Sequence, residues 1–181
     1  GVVNVIAGPG GTVGEELAAN PLVDKTAFTG STEVGRRIMQ LASGTVKGCT
    51  LELGGKSANI VLDDADLDQA AAAVLWGTFM HNGQVCESGT RALVQRGVYD
   101  EFVSLLADRA GKIQLGDQLD MNTDLGPLVH RSQVETAERY VALGREEVGE
   151  PIVGGGSPAA MPGNLVAKAF FQPTIFADVP N

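Results

Sequence analysis

Cysteine and histidine are scarce in this sequence, two of each, and basic charge is outweighed, with 13 Lys and Arg against 22 Asp and Glu. The two thiols, Cys49 and Cys86, are too few for a disulfide scaffold and point to a reducing, cytoplasmic setting. The histidines, His81 and His130, have neither metal-ligand spacing nor a Cys–His dyad arrangement, so no metal site is expected. A net charge of −9, with Lys and Arg scattered, excludes the basic face that a nucleic-acid backbone demands. No stretch of about 18 apolar residues occurs, so no membrane span is expected. No basic-then-apolar leader opens the chain. Gly1 lies directly inside an apolar pattern (Val2, Val3, Val5, Ile6), without a preceding Met, so the chain reads as a piece of a longer one.

Several ligand-loop signatures are also missing. Gly8-Pro9-Gly10-Gly11-Thr12-Val13-Gly14 lacks the Gly-Lys-Ser/Thr ending of a P-loop, and Val13 stands where GxGxxG needs its last glycine. It reads as a turn between a strand and a helix. Asp63, Asp64, Asp66 and Asp68 lack the Gly and Glu of a calcium-binding loop, and Asp66 reads as a helix cap.

What is present is a 44% apolar composition, enough for a core, and a regular alternation of elements. Residues 2–6 read as a buried strand. A capping box, Thr12 to Glu15, opens a helix that stops before Pro21. Residues 25–29 read as a second strand. A helix follows from Glu33, capped by Ser31 or Thr32, with Val34, Ile38 and Leu41 on one face. Residues 47–53 read as a third strand. This order predicts a parallel sheet with crossover helices, whose ligands sit at the carboxyl ends of the strands. Gly30, Ser31 and Glu52 fall at such ends and so share a rim. A helix start after a strand suits an anion, although the same pattern also describes an ordinary capped helix.

Beyond Gly54-Gly55 come a strand over 57–62 and a helix to about Asn82-Gly83. Cys86 follows in a polar loop, then a short strand at 92–94 and an amphipathic helix over 100–112. A capping box at Ser132–Glu135 opens a helix to about Leu143. A glycine-rich turn spans 154–163, and 170–176 is strand-like.

Two residues carry candidate chemistry. A free cysteine is commonly a small buried hydrophobe, and Cys49, inside a strand, reads that way. Cys86 is different, because Gln84, Glu87, Ser88, Gly89 and Thr90 around it are not core-like. It is either a reactive thiol or an inert one, and the adjacent Glu87 does not favour a thiolate. Glu52 is either a solvated strand-end carboxylate or a base. A nucleophile and a base 34 residues apart form a working pair if the fold joins them.

Three motifs carry a family resemblance. They are Phe28-Thr29-Gly30-Ser31-Thr32-Glu33-Val34-Gly35, then Leu51-Glu52-Leu53-Gly54-Gly55-Lys56, then Gly83-Gln84-Val85-Cys86 with Gly89-Thr90-Arg91. In this order and spacing the chain resembles the aldehyde dehydrogenase superfamily along essentially its whole length. Leu125-Gly126-Pro127-Leu128 and Gln172-Pro173-Thr174 fit as well.

The resemblance implies an α/β fold: a Rossmann-like parallel-sheet part, the end of a cofactor-binding domain (1–53), then most of an α/β catalytic domain (54–181), truncated at both ends. It implies oxidation of a small aldehyde to a carboxylic acid with NAD or NADP. Cys86 would form a thiohemiacetal and then a thioester, and Glu52 would act as general base. Gly30, Ser31, Thr32, Glu33, Val34 and Gly35 would contact the cofactor, Ser31 near the pyrophosphate and Val34 against the adenine, with Leu53 near the nicotinamide. The Cys86 N–H would form half of an oxyanion hole. Family enzymes take the other donor, an Asn, and a cofactor-side Lys from upstream of this stretch, and a further Glu from downstream. The piece alone is therefore expected to be inactive, and its parent a homodimer or tetramer. The alternatives are a noncatalytic scaffold of the same fold and a cysteine-dependent acyl transferase or esterase.

Overall fold

The predicted alternation over residues 25–53 is realised as one parallel strand pair joined by a helix. A computed structural model describes residues 1–180 and divides into two compact units, Gly1–Gly55 and the chain from Lys56 onward. In the first unit a π-helical turn at Gly10–Gly14 leads into α1 (Glu15–Ala19). Then come β1 (Lys25–Gly30), α2 (Thr32–Ala42) and β2 (Gly48–Leu53). β1 and β2 run parallel, in register from Lys25 beside Gly48 to Gly30 beside Leu53. Thr26 and Phe28 on β1, and Leu51 and Leu53 on β2, are the half-buried positions, so strand alternation puts one face of the pair inward. α2 buries Gly35, Ile38 and Ala42, a stripe at spacings of three and four. Ser31 caps it by accepting the Val34 N–H at 3.3 Å. An exposed Arg37–Glu15 pair at 2.9 Å joins α1 to α2 and contributes little by itself.

Four expectations fail in this unit. Residues 2–6 form no strand, and Val3 and Val5 are 84% and 92% exposed. A strand needs a ladder partner, and among the described residues β1 pairs only with β2. Thr12 and Glu15 make no capping box. The Glu15 N–H already bonds to the carbonyls of Gly10 and Thr12, and its carboxylate is held by Arg37. Val34 is exposed rather than buried, because the inward stripe of α2 lies one residue further on. Cys49 is exposed as well: it sits on β2, beyond which no further strand pairs among the described residues.

The second unit holds β3 (Ala58–Val61), α3 (Leu67–Phe79), β4 (Arg91–Val94), α4 (Tyr99–Ala110) and α5 (Arg131–Glu147). β3 and β4 are again parallel, from Ala58 beside Arg91 to Val61 beside Val94. Asp66 caps α3 by accepting the Gln69 N–H at 3.1 Å, as the sequence predicts. Val61, Ala71, Val74, Phe102 and Leu106 make the core between the strand pair, α3 and α4. Arg109 near the end of α4 pairs with Asp68 in the first turn of α3.

α3 ends at Phe79, earlier than expected, because His81, Asn82 and Gly83 turn left-handed at φ of 50°, 59° and 72°. α5 starts without the predicted capping box. His130 Nδ1 accepts the Ser132 N–H at 3.2 Å, and Glu135 is engaged by Arg131. The helix then continues past Leu143 to Glu147. The run 170–176 is not a strand. It makes one antiparallel bridge, Ile175 to Val153, and Pro173 lacks the N–H a longer ladder needs. No helix among the described residues is long and apolar enough to cross a membrane.

Phe102 is fully buried and is the largest side chain of the second core. Phe102→Ala is expected to lower the stability of that unit by about 3–5 kcal/mol in urea titration. A loss below about 1 kcal/mol would show that this core does not hold the unit together.

Candidate functional site

The two sets of predicted site residues lie in different units. In the first, the parallel register puts Thr29 beside Glu52 and Gly30 beside Leu53, at the carboxyl ends of both strands. α2 begins two residues after Gly30, so its positive end opens on the same rim. Gly35 is what lets α2 lie against β2: a Cβ there would stand 2.8 Å from Leu53 Cδ2. A Cβ on Gly30 would collide with the Phe28 ring. The structure therefore gathers Gly30, Ser31, Thr32, Gly35 and Leu53 at one strand–helix junction. Glu33 and Val34 are exposed on the first turn of α2. Glu52 is exposed too, and as Leu53's strand neighbour it points to the opposite face of the sheet.

In the second unit, Cys86 lies in a short loop between α3 and β4, and its thiol is exposed. The loop is nevertheless tightly fixed. Ser88, only 5% exposed, donates its hydroxyl to the carbonyls of Gly77 and Thr78 at 3.1 Å each. Those are helix-end carbonyls of α3, which lack intrahelical partners. The Gly89 carbonyl accepts from Asn59 Nδ2 at 2.7 Å and Thr78 Oγ1 at 3.3 Å. A side chain at Gly89 would run into Asn59. On the upstream side, Gln84 Nε2 donates to the His81 carbonyl at 3.2 Å, and its Oε1 accepts the Val129 N–H at 3.3 Å. Asn82 Nδ2 donates to the Pro127 carbonyl at 2.9 Å.

Cys86 Sγ donates to Glu87 Oε2 at 2.9 Å. That hydrogen bond, with the charge of the same carboxylate and a smaller desolvation effect, pushes the thiol pKa above its ordinary value. Glu87 is pulled down in turn, first by the thiol and then by its own backbone N–H, with His81 nearby adding to the effect. No cluster of His, Cys, Asp or Glu among the described residues could hold a metal. A cavity of 1390 Å³ lies along the second strand pair, lined by apolar groups such as Ile60, Val74, Leu93, Phe102 and Ile175. Neither Cys86 nor Glu87 lines it. Polar groups such as Arg91, Gln95 and Tyr99 line it as well.

The aldehyde dehydrogenase family model matches residues 1–181. The chain belongs to this family. It is 44% identical over 178 residues to betaine aldehyde dehydrogenase of Bacillus subtilis, covering 98% of this chain and 36% of that protein. It is also 44% identical over 180 residues to the NADP(+) succinate-semialdehyde dehydrogenase GabD of Escherichia coli, covering 99% and 36%. A solved aldehyde dehydrogenase has the same fold over 93% of the chain and 34% of its own length, with a TM-score of 0.87 and 39% identity. It is a double mutant of Staphylococcus aureus betaine aldehyde dehydrogenase in complex with NAD+ and with a BME-modified cysteine. The chain thus spans about a third of the length of the aldehyde dehydrogenases it matches.

Sequence reasoning singled out Cys86 but missed Asn59, Thr78, Asn82 and the buried Ser88 that hold its loop. A polar residue inside a polar loop carries no sign of being buried. The one available signal was Gly89, required where Asn59 crosses close to the backbone. Ser88→Ala removes a buried donor from two helix-end carbonyls and is expected to cost about 1–3 kcal/mol in urea titration. An unchanged midpoint would mean that the hydroxyl does not anchor the loop.

Proposed function

We propose that this chain carries the nucleophile, the base and part of the cofactor site of an NAD(P)-dependent aldehyde dehydrogenase. The observation that carries the reading is an exposed thiol on a rigidly anchored loop, in a chain that belongs to the family over all its residues. In this reading Cys86 gives its proton to solvent water and its sulfur attacks the aldehyde carbonyl, forming a C–S bond and a thiohemiacetal. The Cys86 N–H steadies the negative oxygen. A bound nicotinamide supplies the hydride acceptor. Loss of hydride leaves an acyl group on sulfur as a thioester. Glu52 takes a proton from water, the water attacks the acyl carbon, and the C–S bond breaks to release acid and thiol.

The junction at β1 and α2 fits a dinucleotide. Gly30 keeps the strand end clear, Ser31 and Thr32 open the helix, and Gly35 lets the helix close on Leu53. Glu33 and Val34 stand exposed beside it. NAD+ appears in one relative's structure and NADP(+) in another relative's name, so the cofactor class is nicotinamide dinucleotide. The relatives' names carry betaine aldehyde and succinate semialdehyde, which limits the reading to a small aldehyde. The reading includes a homo-oligomeric parent, dimer or tetramer, in the cytoplasm, where two exposed thiols persist reduced. The 181-residue chain alone is inactive in this account, because the second oxyanion donor lies outside it, a loss of roughly 10²–10³ in rate.

One observation favours the noncatalytic alternative, the Glu87 carboxylate that opposes ionisation of Cys86. The test separates the readings. The full-length protein containing this stretch is mixed with an aldehyde and NAD+ or NADP+, and absorbance of the reduced cofactor is followed. Turnover is expected, with Cys86→Ser lowering it about 10⁴-fold or more and Glu52→Gln also impairing it. No turnover on any small aldehyde, or full activity in Cys86→Ser, would overturn the proposal. The chain by itself is expected to give no signal.

A further inference from the structure

Among the described residues Glu87 is the charged side chain placed against the Cys86 sulfur. Both residues are exposed, and their contact is a direct S–H to carboxylate hydrogen bond of 2.9 Å. The contact is not a chance pairing of two free side chains on a floppy loop. Gln84 is fixed to His81 and Val129 on one side, and Ser88 is buried against the end of α3 on the other. Only Val85, Cys86 and Glu87 lie between those anchors, so the backbone keeps thiol and carboxylate within reach of each other while their side chains can still rotate apart.

We propose that Glu87 restrains the nucleophile, holding Cys86 as a neutral, unreactive thiol in the resting chain and freeing it only when the carboxylate swings away from Sγ. The inference rests on Cys86 being the nucleophile. The competing role for Glu87, as the base that takes the thiol proton, is decided by magnitude. An ordinary thiol titrates near roughly 8.5 and an ordinary carboxylate near roughly 4.3, so resting transfer of the proton to Glu87 runs about four units uphill. The contact widens that gap, since it raises the thiol and lowers the acid. His81, in the preceding turn, adds a smaller effect that also favours the charged form of Glu87 and reinforces the restraint. The thiolate, and not the thiol, attacks carbonyls and oxidants alike, so a restrained Cys86 is protected until its partner is displaced.

Alkylation by iodoacetamide tests this without any aldehyde chemistry. Labelling is read on the Cys86 peptide by mass spectrometry, so that Cys49 and any other thiol do not interfere, and its rate is followed against pH. The expected wild-type midpoint lies above that of an ordinary thiol. Glu87→Gln removes the charge, so the midpoint falls and the rate at pH 7 rises. Each unit of fall yields tenfold more thiolate but a weaker nucleophile, for a net gain of about threefold. Glu87→Asp keeps the charge and shortens the reach, so its midpoint falls less. Unchanged far-UV circular dichroism confirms that these exposed substitutions leave the fold intact. A Glu87→Gln midpoint equal to or above wild type overturns the proposal. Shifted midpoints together with a full-length protein that shows no NAD(P)-linked turnover would leave the restraint standing and sink the enzymatic reading instead.

Discussion

The buried hydroxyl of Ser88 is the constraint on which the candidate nucleophile's position depends. Helix α3 ends with carbonyls that have no partner of their own, and a single hydroxyl from the following loop is shared between two of them. The chain therefore turns back on the helix it has just left. Gly89, beside Ser88, then presents its carbonyl to Asn59 on β3 and to Thr78 on α3. Helix, strand and loop meet there, three residues past Cys86. The thiol is exposed, yet the backbone that carries it is anchored by hydrogen bonds on both sides. Rigid backbone with an accessible reactive atom is what positioning for attack demands.

Each unit is thinly covered. Both sheets are two-stranded and parallel, an arrangement normally buried on both faces. The described apolar exposure includes Val2, Val5, Ile60 and Trp76, and the second sheet leaves an apolar face open as a cavity. Since the chain spans about a third of its relatives, surface of this kind is where the remaining two thirds of such a protein would pack.

Much of this was legible in the sequence, and the failures have physical causes. The alternation around Lys25 to Leu53 was readable because β1, α2 and β2 satisfy one another locally, and the Ser31 and Asp66 caps act within three residues of themselves. Residues 2–6 have strand composition but no described ladder partner, and composition cannot report a missing neighbour. Cys49 sits in a strand as expected, but burial depends on what lies beside that strand. The capping boxes at Thr12 and Ser132 failed because Arg37 and Arg131 took the glutamates and other groups took the amides. Cys86 was visible through its polar, glycine-flanked setting. Its anchors were not, since Asn59 and Ser88 act across about 30 and 10 residues and leave no periodic trace.

The account stands on Cys86 carrying the acyl group and Glu52 releasing it. Intact-mass analysis of the full-length protein bearing Glu52→Gln, after brief exposure to an aldehyde and NAD+, tests this most directly. The account predicts a trapped acyl adduct that maps to the Cys86 peptide and disappears with hydroxylamine. An unmodified protein that still reduces cofactor, or an adduct mapped to another residue, would contradict it.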